Sequence, residues 1–222
     1  MRNEVSTEEV DVAFRAFVDD PRFPCLAGKG VVRASGYSTG VYDALGSRHS
    51  TVTLANDLAH FVDSAVEDET RLHAFVAVFS SSTYEDERGF ERDLWNQLQL
   101  LSDQDPDSEW DASVSNDPDD PDFAFSFRGR ALFVVGLHPG SSRIARQFRW
   151  PALVFNPHLQ FERLRATGRF DRLRSAVRER EIAIQGSLNA NLADFGERSE
   201  ARQYSGRATE ADWKCPFHHR AD

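Results

Sequence analysis

Sulfur is scarce in this chain, which has two cysteines and one methionine among 222 residues. Cys25 and Cys215 stand far apart and no Cys-x-x-Cys occurs. A disulfide framework and a zinc site of paired cysteines are therefore both excluded. No apolar run approaches the roughly 18 residues that a membrane-crossing helix needs. The opening MRNEVSTEEVDV is acidic and lacks the apolar stretch of a signal peptide, so a reducing, cytoplasmic setting is expected. Phosphate-cradling Gly-x-x-x-x-Gly-Lys-Ser/Thr and Gly-x-Gly-x-x-Gly patterns are missing, as is the Gly-x-Ser-x-Gly of serine hydrolases. Positive charge is absent from Ser102 to Asp122, a stretch that holds nine acids. It reads as a flexible acidic loop at about 103–122.

What is present is one chain long enough for a single large domain, 1–222, with 17 Phe to build a core. The net charge of −10 argues against nucleic acid or an anionic membrane surface as partner. Charge is unevenly placed, however. Between Arg128 and Arg180 there are twelve Arg against Glu162, Asp171 and Glu179, a local balance of +9. Such an excess favours at least one buried anion.

Periodicity supplies the elements. Ser6 followed by Glu9 resembles a capping box, and Val10, Phe14, Phe17 and Val18 recur at helical spacing, predicting a helix over 7–19. DPRFPCLAGKG breaks that helix with prolines and glycines. A second helix is predicted over 52–67 and a third over 85–102. HAFVAVFS at 73–80 reads as a buried strand. FAFSF (123–127), a tight turn at Arg128-Gly129-Arg130, and ALFVVGLH (131–138) predict a β-hairpin, and ALVFN (152–156) a further strand. Residues 159–184 are helical in pattern with a break at Gly168, and Leu164, Phe170, Leu173 and Val177 stand as core positions. The order does not alternate as a doubly wound sheet would. An α+β fold is predicted, with a mainly antiparallel sheet flanked by helices.

The chemistry concentrates in ALFVVGLHPGSSRIARQFRWPALVFNPHLQF, residues 131–161. His138 and His158 each close an apolar run and each touch a proline, which stiffens the backbone where a strand ends. Arg143, Arg146 and Arg149 recur at i, i+3 and i+6, which would set Arg143 and Arg146 on one face of a short helix. A rigid imidazole near several guanidiniums suits an iron porphyrin, an anionic substrate or a phosphate. Cys25, beside a proline and a glycine-rich turn, reads as a candidate thiol nucleophile, and Cys215 in WKCPF as a residue that could ligate zinc or haem iron.

FPCLAGKG (23–30), DLWNQLQLL (93–101), LFVVGLHP (132–139), SSRIARQF (141–148), FNPHLQFERLR (155–165), SEARQYSG (199–206) and WKCPF (213–217) together resemble the YqcI/YcgG family. The resemblance spans nearly the whole chain. Characterised relatives are haem-dependent N-hydroxylases of amino-acid or guanidine substrates, as in guanitoxin and cycloserine biosynthesis. The resemblance thus implies a non-covalent haem b and a small amino-acid-like substrate of arginine, guanidine or amine type. It also implies an electron donor or peroxide. On this reading His158 is the expected iron ligand, with His138, Cys215 and Cys25 as rivals. His138 is otherwise a distal hydrogen-bond donor. Arg143 and Arg146 would clamp the propionates. Asn156 would orient polar groups, and Glu162 and Glu200 would anchor a cationic substrate. The alternative is a non-catalytic haem-binding or haem-sensing protein.

Overall fold

The computed structural model describes residues 5–67, 71–193 and 196–219. Its framework is a five-stranded sheet in the order β1-β2-β5-β4-β3. The strands are β1 (Tyr37–Tyr42), β2 (Ala74–Phe79), β3 (Phe125–Phe127), β4 (Arg130–Leu137) and β5 (Ala152–Pro157). Only β1 and β2 run parallel; every other pairing is antiparallel. The protein is thus an α+β fold with a mostly antiparallel sheet, as its sequence predicts. The hairpin turn falls on Arg128 and Gly129, both with positive φ, which is the left-handed geometry that short hairpin loops require.

The helices are α1 (Thr7–Asp19), α2 (Leu26–Arg33), α3 (Arg48–Glu67), α4 (Glu87–Asp103), α5 (His158–Ala166), α6 (Arg169–Gln185) and the single turn α7 (Ala201–Tyr204). The α1 cap forms as the sequence indicates, with the Ser6 hydroxyl accepting the Glu9 N–H at 3.1 Å. The chain breaks after α1 as the sequence predicts, and helix α2, which the pattern did not indicate, begins within the same DPRFPCLAGKG run. Its prolines fall before the first turn, Cys25 caps it by accepting the Gly28 N–H on Sγ at 3.3 Å, and Gly28 allows the Phe23 ring to lie against it. Strand β1 escaped the pattern because a sheet edge tolerates Ser, Thr and Gly where a central strand does not. No helix among the described residues is long and apolar enough to cross a membrane.

Alternation along the strands gives the sheet two apolar faces. Phe75, Ala77, Phe79, Leu132, Val134, Leu153 and Phe155 face α3, α4, α7 and the C-terminal Cys215–Phe217 segment. Ala74, Val76, Val78, Leu137 and Val154 face α1 and α2 on the other side. The acidic stretch, predicted as a flexible loop, is a chain of turns. Asp105 accepts the Ser108 hydroxyl and the Arg128 N–H, Asp111 accepts the Ala131 N–H at 2.8 Å, and Trp110 packs on Phe123 and Phe125. A buried ion pair, Arg207–Glu91 at 2.7 Å, ties the C-terminal segment to α4.

Helix α4 sits directly on the sheet because Gly136 has no side chain. A Cβ there would lie 2.7 Å from Phe90 Cε1 and 2.8 Å from Leu94 Cδ1. Both ring and leucine are fully buried and have little space to retreat into. Gly136→Ala should therefore lower stability by about 1–3 kcal/mol, the usual cost of overpacking a core. Urea unfolding measures it, and an unchanged midpoint would show that α4 is free to ride up off the sheet.

Candidate functional site

The second sheet face is only half covered by α1 and α2. Helices α5 and α6 cover the rest, and a cleft remains between the two pairs. Its floor is the register of the central strands: Phe133 opposite Asn156, and Val135 opposite Val154. The inner chamber holds about 300 Å³. An outer chamber of about 250 Å³ shares eight lining residues with it, among them Cys25, Phe133, Phe161 and Gln203. The inner chamber reaches the lower end of ligand-site size, and the outer one adjoins it through their shared walls. The lining is largely apolar, yet the charged residues along it are six arginines (143, 146, 165, 174, 178, 198) and two glutamates (181, 200).

The outer wall is α6. None of its residues is buried, and the Phe170, Leu173 and Val177 stripe predicted as core instead faces the cleft. The helix is bounded by Gly168 and Gly186, both at positive φ, which closes off the helix at each end. Polar contacts fasten it. Glu181 pairs with Arg143, both side chains being nearly buried. The Arg143 guanidinium also donates to the Ser187 carbonyl at 2.7 Å, and Gln185 accepts the Ile144 N–H at 2.8 Å while donating to the Ser142 carbonyl at 3.0 Å.

The three evenly spaced arginines do not share a face. Only Ile144–Arg146 is helical, as one 3₁₀ turn, and Gln147 leaves the helical region. Arg143 goes to α6 and Arg149 to Glu9 at 3.2 Å on the surface. Arg146 turns inward and donates to the carbonyls of Gly136 (3.0 Å), Tyr204 (3.1 Å) and Gln203 (2.9 Å). Burial lowers its pKa to about 10, partly offset by the charges of Glu181 and Cys25. It remains cationic at neutral pH.

Of the four candidate ligands the cleft holds two. Cys25 lines both chambers; burial raises its thiol pKa, against the pull of the Gly28 and Ala27 N–H groups and Arg146. His158 is the first residue of α5, placed by the end of β5, and lines the outer chamber while 2% exposed. Its Nε2 lies 3.6 Å from Glu200 Oε2 and its Nδ1 3.8 Å from Glu162 Oε1. Glu200, buried, accepts the Tyr204 hydroxyl at 2.6 Å, and that hydroxyl accepts the Phe125 N–H at 3.1 Å. The two carboxylates expected to act together are thus divided by the imidazole. Glu200 lies in the cleft, whereas Glu162 borders a separate cavity with Arg130 and Arg163. Asn156 lies on the cleft floor and donates to the Phe133 and Val154 carbonyls, both at 3.2 Å.

The other two candidates lie elsewhere. Cys215 is in the core of the opposite sheet face, where burial pushes its thiol up to about 12. His138 stacks on Phe90 with ring centroids 4.4 Å apart, and among the described residues neither ring nitrogen has a hydrogen-bond partner. It borders neither chamber. Residues not singled out from the sequence are Glu181, Phe161 and Leu192 on the cleft wall. Glu181 sits in the run RERE, where nothing distinguishes one acid from its neighbours.

Two predictions follow from these placements. Burial lowers the His138 pKa below 6.5, Glu87 raises it and Arg146 lowers it further. The unfolded chain therefore takes up this proton first, and the contribution to stability is lost as pH falls from about 6.5. His138→Phe keeps the stack and removes the proton site, so its stability relative to wild type should improve steadily between about pH 7 and pH 5. A constant difference across that range would refute the assignment. Separately, Glu181→Gln should weaken the fastening of α6 by about 1.5–3 kcal/mol, the range for hydrogen bonds to charged groups. Amide exchange should then quicken in 169–185 and not in the sheet; uniform exchange would show that the pair holds nothing locally.

Comparison with known proteins places the chain. Residues 14–218 match the YqcI/YcgG family. Over 134 residues the chain is 31% identical to the uncharacterized protein YqcI of Bacillus subtilis (strain 168), covering 58% of this chain and 52% of YqcI. It is likewise 31% identical over 134 residues to the uncharacterized protein YcgG of the same strain, covering 58% of this chain and 53% of YcgG. The match spans about half the length of these relatives. No solved structure matches the chain. With nearly all of its length inside the family pattern, the chain belongs to the YqcI/YcgG family.

Proposed function

We propose that the protein is a haem-dependent monooxygenase that hydroxylates a nitrogen of a small amino-acid-like substrate, of guanidine or amine type. One observation carries this reading: a largely apolar cleft whose walls bear an imidazole, a thiol and an excess of arginines. An iron porphyrin is flat, apolar on both faces, carries two carboxylates at its edge and takes a protein ligand at the metal. The residues present fit that group. His158 would hold the iron, with Glu162 on its Nδ1 side in the position of the carboxylates that orient metal-bound histidines. Arg165, Arg174 and Arg178, all lining the outer chamber, would meet the carboxylates.

The bound group supplies oxygen activation. The chain supplies position and charge. Glu200, held by the Tyr204 hydroxyl, is a buried carboxylate in the cleft and pairs with the cationic nitrogen of the substrate. Asn156 and Gln203 offer amide contacts to its polar groups. Helix α6 forms the outer wall of the chambers. In the overall balance one oxygen atom is inserted into an N–H bond. With dioxygen, the second atom leaves as water and two electrons come from an external donor. With peroxide, no donor is required.

A second reading of the ligand is favoured by the α2 cap. The Cys25 sulfur lines both chambers and accepts a backbone N–H at 3.3 Å, and although burial raises its thiol pKa overall, that bond and the field of Arg146 favour the thiolate. Visible spectra of the haem-supplemented protein separate the two. His158→Ala should lose stoichiometric haem, whereas Cys25→Ser and His138→Phe should keep it. A ferrous carbon-monoxide band at a thiolate position would move the ligand to Cys25, and a colourless protein would end the haem reading. Turnover is tested by mass spectrometry for a product one oxygen heavier across arginine, lysine and related amines. Haem binding with two strong protein ligands and no product would instead identify a non-catalytic haem protein.

A further inference from the structure

The inner chamber contains a charge that its own walls do not balance. Its charged lining residues are Arg143, Arg146 and Glu181, and Glu181 is paired with Arg143. Among the described residues, no carboxylate lies within ion-pair distance of Arg146. Its three acceptors are the backbone carbonyls of Gly136, Gln203 and Tyr204. Carbonyls satisfy donors without cancelling a positive charge, and three bonds leave two of the five guanidinium donors uncommitted. A partly buried cation without a counter-ion is costly, and Arg146 is among the residues that line the chamber. The backbone also makes room for it. Gly206, at φ +83°, passes within 3.3–3.5 Å of the Arg146 side chain, measured from where a Cβ would stand.

We propose that the inner chamber is a subsite for a single carboxylate, received by Arg146. The excess of one positive charge sets the valence. The apolar remainder of the chamber, with Val135, Leu137 and Val154 on its floor, rejects a free hydrated ion and selects a carboxylate attached to a larger organic ligand. The planar guanidinium matches a carboxylate as a two-point partner. Such a group has two sources in this cleft, a porphyrin propionate or the carboxylate of an amino-acid substrate. The subsite follows from the charge of the chamber and stands whether or not the porphyrin does.

The test uses two matched pairs of probes on the wild-type protein. Iron protoporphyrin IX is compared with its dimethyl ester by absorbance titration, and L-arginine with agmatine, which lacks only the carboxylate, by calorimetry. In one pair the free acid should bind at least about tenfold more tightly, as a hydrogen-bonded charge pair gives. That preference should collapse to within about twofold in Arg146→Gln and persist in Arg143→Lys, which keeps the charge that balances Glu181. The pair that shows it names the source. Because Arg146 also holds three carbonyls, the question is put to wild type by a second route. Phenylglyoxal labelling, followed by peptide mass spectrometry, should show Arg146 protected by the free acid and not by its blocked partner. No acid preference in either pair, or a preference that survives Arg146→Gln, or equal protection by both partners, overturns the subsite. An arginine-over-agmatine preference in a protein that binds neither porphyrin keeps the subsite and discards the haem reading. Equal binding of both porphyrins, with no preference for arginine, does the reverse.

Discussion

The register between β4 and β5 is the constraint from which the rest of the molecule follows. Pairing Val134 with Phe155 sends these two toward α4, and pairing Phe133 with Asn156 sends those two to the opposite side. A slip of one residue would exchange the faces, because side chains alternate with a period of two. It would bury Asn156 in the aromatic core and turn Phe155 into the cleft. The register is secured on the α4 side by Gly136, which accepts Phe90 and Leu94 at a distance no side chain would permit. It is secured across the strands by Asn156, whose amide donates to the carbonyl of its partner Phe133 at 3.2 Å. The same alignment carries the chain out of β5 at Pro157 and delivers His158 to the cleft wall as the first residue of α5.

From this frame the polar chemistry separates into layers. Tyr204 lies at the boundary between the aromatic core and the cleft. Its ring stacks on Trp95, with centroids 5.6 Å apart, and its hydroxyl reaches Glu200. Both burial and the neighbouring Glu200 raise the phenol pKa, so the proton remains on the tyrosine. Glu200 thereby keeps one oxygen bonded while the other lies toward His158. Arg146, a few residues away in space through its bonds to Gln203 and Tyr204, is held by the same turn of chain that starts at Glu200. One short helical turn therefore fixes an anion and a cation in the cleft with respect to each other.

The sequence was most legible where local rules are strong. The α1 cap, the hairpin turn and the fully buried β2 each follow from a spacing or a composition that admits little else. The antiparallel character of the sheet was legible from element order. Other features were not local. Whether the apolar stripe of α6 meets a core or a cavity cannot be read from its period, since both demand the same pattern. The i, i+3, i+6 arginines imply a common face only if the helix persists, and this one ends after three residues. His138 and His158 have the same sequence surroundings, an apolar run and a proline. They differ in the face to which the strand end directs them, which depends on pairing partners distant in the chain. Cys25 and Cys215 differ in the same way.

The weakest wall of the cleft is also the one most tightly linked to its charge. Helix α6 buries no residue, so little apolar area holds it, and segments of that kind sit at the low end of local stability. Its attachment depends on Glu181 and on the glutamine and serine contacts beside it. Glu181 pairs with Arg143 and its field also reaches Arg146. A carboxylate entering the inner chamber would face the same two guanidiniums that Glu181 now serves. Two anions beside two cations balance, whereas one anion beside two cations does not. The electrostatics of the chamber and the fastening of its cover therefore share one residue, Glu181.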